Sequence, residues 1–310
     1  PHVTTQRFLG LDLGGTNIKV AVVESSEDGS SPEVMSTTQH LTHAERGPQG
    51  VTDRLIEVGR RTIEEAGPVD AAGLGVPGLF EPDTGRIVLF PNLPGPWRGH
   101  SLRDPVGSAL GVPTALINDA RAFVLAEGTI GAGRDCPTLI GLTLGPGIGG
   151  GIMIDGQIHL GEFGTGGEVG HQIVLPDGPL CGCGNKGCVE ALARADTLAA
   201  LAGQADAATV YRRAADGDEA CLSAINTVAT YIGIGLANVV TLLGPSRIVI
   251  GGGIVASGEL VLGPIREAMR SRVTLAPADE VSVVPAELGN WAGAIGAALA
   301  GRAQLEVRAR

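Results

Sequence analysis

The sequence predicts a two-lobed α/β protein on three observations: its length, an alternation of strand-like and helix-like segments, and one strand-to-glycine pattern that occurs twice. At 310 residues the chain exceeds the size at which a single hydrophobic core stops growing. Apolar runs bounded by Gly or Pro alternate with longer helical patterns. A hairpin is expected from strands near 8–13 and 19–24. A helix follows at 49–65, where Val51, Leu55, Val58 and Ile63 share a face. Strands fit at 71–75, 114–118, 139–144 and 247–250, and helices at 120–130, 218–243 and, Ala-rich, 290–303. The repeated pattern is an apolar strand running into Asp12, Leu13, Gly14, Gly15 and Thr16, and another running into the Gly-rich stretch 144–151. It predicts two similar lobes. They are expected at 1–118 (small) and 119–290 (large), with the helix at about 291–310 packing back on the small lobe.

Charge and composition exclude several partners. The chain carries 22 Lys and Arg against 33 Asp and Glu, a net charge of −11, with no basic run to neutralise a nucleic-acid backbone or an anionic membrane. No nucleic acid and no membrane are expected as partners. The first residues lack a basic start followed by a continuous apolar stretch, so the expected location is cytoplasmic. The uncharged stretch 137–154 approaches spanning length, but its glycines and prolines suit turns better than a lipid-facing helix.

Two glycine-rich segments are candidate anion sites. In the first, Gly14 and Gly15 let backbone N–H groups approach a phosphate, Thr16 adds a hydroxyl and Asp12 can meet magnesium through water; a plain tight hairpin is the alternative. In the second, Gly145, Gly147, Gly149, Gly150 and Gly151 are too dense for a stable strand or helix interior, which places them where the backbone turns or approaches a ligand. A plain glycine loop is the alternative there. Neither segment has the Walker pattern or the spacing of a dinucleotide fingerprint. Gly251, Gly252 and Gly253, after the strand ending at Ile250, are a third glycine edge for a nucleotide base.

Asn118 and Asp119 stand where a strand ends and a helix begins. A carboxylate at such a rim can accept the proton of an alcohol in phosphoryl transfer, while Asn118 bonds a neighbouring hydroxyl. Both residue types also serve as ordinary helix caps.

The densest chemistry lies between Glu168 and Glu190. His171, Cys181, Cys183 and Cys188 supply one imidazole and three thiolates, a closed tetrahedral set that suits one structural zinc ion. A redox thiol pair would need neither the third cysteine nor the glycine knuckles. Zinc here freezes about twenty residues that have too few apolar side chains to hold themselves, and Glu168 and Glu190 flank the frozen segment. Rigid acceptors suit a polyhydroxylated ligand, solvated surface charge being the alternative.

These motifs resemble the ROK family of bacterial sugar kinases and repressors, whose fold is the actin-like, ribonuclease-H-like pair of α/β lobes. The segment from Asp12 to Thr16, with Asn17, is similar to the family's first phosphate loop. Residues 144–151 resemble its second, GGEVGH with CGCGNKGCVE its zinc and sugar signature, and IVIGGGIV, which contains Gly252, its nucleotide-side segment. The resemblance implies that Asp119 is the catalytic base, with Asn118, Glu168, His171 and Glu190 as sugar ligands. Gly78 and Asn92 would sit at the edge of the sugar pocket.

Within the family the likeness is greatest to glucokinases, which implies an ATP-dependent kinase acting on the 6-hydroxyl of glucose with Mg and ATP, assembled as a homodimer or dimer of dimers. One departure is Pro146, where the family's second loop commonly has Thr; it removes a hydroxyl and an N–H donor. Kinases for mannose, fructose, N-acetylmannosamine or an amino sugar, use of polyphosphate as donor, and a sugar-sensing regulator are the rival expectations. Family repressors carry a helix-turn-helix before the first loop, and Asp12 lies too near the start to leave room for one.

Overall fold

The computed structural model describes residues 5–26, 31–91 and 93–308. Asn92, expected at the pocket edge, lies outside the described residues. In chain order the strands are β1 (Thr5–Leu13), β2 (Asn17–Ser26), β3 (Glu33–Leu41), β4 (Ala71–Val76), β5 (Leu79–Phe80), β6 (Ile87–Leu89), β7 (Thr114–Asn118), β8 (Thr138–Leu144), β9 (Ile148–Ile154), β10 (Gln157–Ile158), β11 (Arg247–Gly251) and β12 (Ser282–Pro285). The α-helices are α1 (Gly47–Ala66), α2 (Arg103–Leu110), α3 (Asp119–Ile130), α4 (Val189–Ala193), α5 (Ala195–Leu201), α6 (Ala207–Ala215), α7 (Glu219–Leu243), α8 (Glu259–Arg270) and α9 (Ala292–Arg308).

The described chain forms two compact α/β units. The first comprises residues up to Gly131, Gly161–Gly164 and the segment from Asn290 onward; the second comprises Ala132–Leu160 and Thr165–Gly289. The expected boundary at 118/119 falls at the start of α3, which belongs by its packing to the first unit.

In the first unit the sheet order is β3-β2-β1-β4-β7. β1, β2 and β3 run antiparallel, and β4 and β7 add in parallel. α1 buries Val51, Leu55 and Val58 among Leu9, Leu11, Val20 and Leu74 of the sheet. α9 packs against β1, β4 and α3, at a distance that only glycine permits. A Cβ on Gly10 would overlap the carbonyl oxygen of Ala294, one on Gly73 that of Ala297, and one on Gly296 that of Ala122. At these three points backbone lies against backbone.

In the second unit the order is β10-β9-β8-β11-β12, again an antiparallel meander extended by two parallel strands. The two sheets therefore share strand order and strand sense, as the repeated pattern predicts. α7 is the central helix of this core, burying Ile225, Val228, Ile232, Leu236 and Val240 with Ile248, Ile250 and Ile265. It is long and apolar enough to cross a bilayer, but 56% of its apolar window is buried inside the protein, so its composition is that of a core helix.

Candidate functional site

The first glycine turn joins β1 to β2. Leu13 pairs with Ile18, which leaves residues 14–17 as the turn, closed by the Gly14 N–H donating to the Asn17 carbonyl at 2.9 Å. Buried Thr42 fixes it from outside: its hydroxyl donates to the Gly14 carbonyl at 2.8 Å, and its N–H donates to the Thr16 carbonyl at 2.9 Å. Asp12 precedes the turn with its carboxylate set between two glycines. A Cβ on Gly75 would reach 3.2 Å from Oδ1, and one on Gly293, in the first turn of α9, 2.5 Å from Oδ2. Burial there, with the charge of Asp119 nearby, raises the Asp12 pKa from 3.8 to about 7; Lys19, its cross-strand neighbour, opposes the rise.

At the β7–α3 junction both polar residues accept from the Ala120 N–H. Asn118 is the cap: its Oδ1 accepts from the N–H groups of Ala120 at 3.1 Å and Arg121 at 3.2 Å, and its Nδ2 donates to the Gly78 carbonyl at 3.1 Å. Asp119 is the first residue of α3 and is exposed; its Oδ1 accepts from the Ala120 N–H at 2.8 Å. Gly78 has φ of +80°, and a Cβ would overlap the Leu89 carbonyl oxygen, so both backbone angle and space require glycine.

The second turn joins β8 to β9. Leu144 pairs with Ile148, leaving Gly145, exposed Pro146 and Gly147 as the turn, with the Gly145 N–H donating to the Gly147 carbonyl at 3.0 Å. The expectation that the glycines of 145–151 are too dense for a strand interior is corrected for three of them: Gly149, Gly150 and Gly151 lie inside β9. The glycines survive in a strand because another backbone lies flush against it. A Cβ on Gly150 would come within 2.9 Å of the Gly167 carbonyl oxygen, one on Gly167 within 2.9 Å of Gly151 Cα, and one on Gly170 would overlap the Ile148 carbonyl oxygen. The strand glycines thus seat the GGEVGH segment and so position Glu168 and His171. Gly252, with φ of +99°, lies against the Leu144 carbonyl, at the end of β8.

The predicted metal ligands meet. One donor atom from each of His171, Cys181, Cys183 and Cys188 falls within 4.8 Å of the others. His171 Nδ1 and Cys181 Sγ are 3.6 Å apart, and the sulfurs of Cys183 and Cys188 3.7 Å. Tetrahedral zinc at ordinary Zn–S and Zn–N lengths places neighbouring ligands about 3.5–3.8 Å apart, so the set fits one such ion. In the bare chain burial pushes the Cys188 thiol up to about 12 and raises that of Cys181, whereas a hydrogen bond from the Asn185 backbone lowers Cys183. A divalent cation among these sulfurs favours their thiolates. Ile173 and Leu180 of this loop are exposed, so few of its apolar side chains contribute to a core.

A profile of the ROK family matches residues 8–303. The chain belongs to the ROK family. It is 34% identical to a glucokinase of Thermotoga maritima over 94% of this chain and 96% of that one. Among solved structures it is similar to a ROK hexokinase from Thermus thermophilus, with TM-score 0.86, 36% identity and coverage of 98% and 100%. A second is a ROK glucokinase from Streptomyces griseus in complex with glucose and AMPPNP, with TM-score 0.77, 32% identity and coverage of 96% and 99%.

In this ROK chain the first unit brings together Asp12, the first turn, Gly78, Asn118 and Asp119. The second brings together the second turn, Gly252, Glu168, the metal ligands and Glu190. His171 turns Nδ1 toward Cys181, while its Nε2 is 4.0 Å from Glu168 Oε2. Glu190 is held at one oxygen: Oε2 accepts from the Ile148 N–H at 2.9 Å, while Oε1 lies 3.6 Å from the Cys181 sulfur. Sequence reasoning missed Thr42, Gly75, Gly293 and the Ala195 N–H, which donates to the Gly145 carbonyl at 3.0 Å. A glycine inside an Ala-rich helix was the available signal for Gly293; an N–H has none.

Proposed function

We propose that this ROK protein is an ATP-dependent hexose kinase of the glucokinase type, transferring the γ-phosphoryl group of ATP to the 6-hydroxyl of glucose. The observation that carries the reading is the placement of an exposed carboxylate, Asp119, at the first position of α3 beside the capping Asn118. From there it would accept the hydroxyl proton as phosphoryl transfer proceeds. The relatives named glucokinase and hexokinase support the same reading.

Asp12 would hold magnesium, which when bound spreads the charge of the transferring phosphoryl group. Backbone N–H groups of the two glycine turns hold the phosphates, with Gly252 on the nucleotide side. Glu168, Glu190 and the Nε2 side of His171 orient sugar hydroxyls. The Oδ1 of Asn118 is used in capping and one Nδ2 hydrogen goes to the Gly78 carbonyl, so the second Nδ2 hydrogen is what it would offer to a sugar. His171 Nδ1 would be the zinc ligand, which would hold the imidazole plane fixed.

The test is a coupled assay across glucose, mannose, fructose and N-acetylmannosamine, with ATP and polyphosphate as alternative donors. Glucose with ATP is expected to give the highest kcat/KM. Absence of ATP-dependent phosphorylation of every hexose tried would overturn the kinase, and preference for another hexose would overturn the glucose assignment alone.

A further inference from the structure

The segment 188–196 begins at a metal ligand and ends on the second glycine turn. Cys188 caps α4; two residues on, Glu190 accepts the Ile148 N–H at 2.9 Å while its other oxygen lies 3.6 Å from the thiol of Cys181. Beyond the α4–α5 junction, the Ala195 N–H donates to the Gly145 carbonyl at 3.0 Å. The turn is therefore held at both ends by one segment, at its first carbonyl by the Ala195 N–H and at the first N–H beyond it by the Glu190 carboxylate, and that segment starts at a candidate metal ligand. Gly147 approaches the same carboxylate: a Cβ there would come within 2.7 Å of Glu190 Oε2.

We propose that this segment is a brace that sets the shape of the second glycine turn, so that nucleotide affinity depends on the metal cluster as well as sugar affinity. The proposal rests on the kinase reading above. A three-residue turn centred on Pro146 lacks one N–H, so its remaining donors bind phosphate only if they are held in place. Glu190 and the Ala195 N–H do the holding, and neither needs to touch the nucleotide.

Ala195→Pro isolates the effect. It removes the one N–H that reaches Gly145 and no helical hydrogen bond, because Ala195 is the first residue of α5. Arg194 before it has ψ of 165°, the extended conformation that a following proline requires. By calorimetry with AMPPNP, the variant is expected to bind about threefold to tenfold more weakly, with glucose affinity unchanged. Glu190→Gln keeps an acceptor for Ile148 and is expected to bind AMPPNP as the wild type does while losing glucose affinity; Glu190→Ala loses both. Chelated, metal-free protein is expected to bind AMPPNP more weakly. If Ala195→Pro and the metal-free protein both bind AMPPNP with wild-type affinity, the brace is overturned and the kinase stands. If the wild type binds no AMPPNP, the kinase reading falls and the brace with it.

Discussion

The two glycine turns occupy the same place in two sheets of the same order, and they differ in what surrounds them. Asp12 pairs in parallel with Gly75, and at the corresponding position of the second sheet Thr143 pairs with Gly251. In each turn an outside donor holds the carbonyl of the first glycine, the Thr42 hydroxyl in one and the Ala195 N–H in the other. The first turn is held by the residue after a neighbouring strand, the second by a segment that starts at a metal ligand. A shared scaffold has been given a partly buried carboxylate in one unit and, in the other, an acceptor two residues from a candidate metal ligand. The comparison teaches that strand order positions a turn, while the residues bracing it decide which chemistry it can serve.

Three variants test that division. The largest effect is expected from Asp119→Ala. If Asp119 is the base, its removal is expected to lower kcat by about a hundredfold to ten-thousandfold with sugar affinity retained; near-normal turnover in the coupled assay would move the chemistry away from the first unit.

Next is Asp12→Asn, which puts an uncharged polar side chain before the first turn, as Thr143 is before the second. In the folded chain Asp12 holds its proton to about 7, while the unfolded chain releases it near 3.8. Between those values the unfolded state binds fewer protons, so this group lowers stability as pH rises through the window. Thermal denaturation of ligand-free protein from pH 4 to pH 7 is expected to show a falling contribution that Asp12→Asn removes; an identical slope in the variant would refute the assignment. The smallest effect belongs to Thr42→Val, which leaves the Gly14 carbonyl without its hydroxyl donor at a cost of about 1–3 kcal/mol. Denaturant unfolding reads it, and no change would show that the first turn needs no outside support.

Much of the fold was legible in the sequence. Expected strands at 71–75, 114–118, 139–144 and 247–250 correspond to β4, β7, β8 and β11, and the helix expected at 218–243 to α7, because buried parallel strands and core helices leave continuous or periodic apolar runs. β3 was not legible: at the edge of its sheet most of its side chains are exposed, so no alternation marks it. α8 carries Pro264 inside it, which reads as a break. In the candidate site, the metal ligands were legible from residue type and spacing alone. The glycines of β9 were misread because glycine density signals a turn and a close backbone approach equally well, and only the tertiary neighbour at Gly167 separates the two.

The glycine-lined seat of α9 also constrains the order of synthesis. Gly10 and Gly73 face a helix translated more than two hundred residues later, so on the ribosome β1 and β4 emerge long before the element that covers them. The second unit has all its elements once residue 289 has emerged. The unit that starts first is thus the last that can finish, and a stalled or truncated chain lacking α9 would carry a completed second unit beside an uncovered sheet.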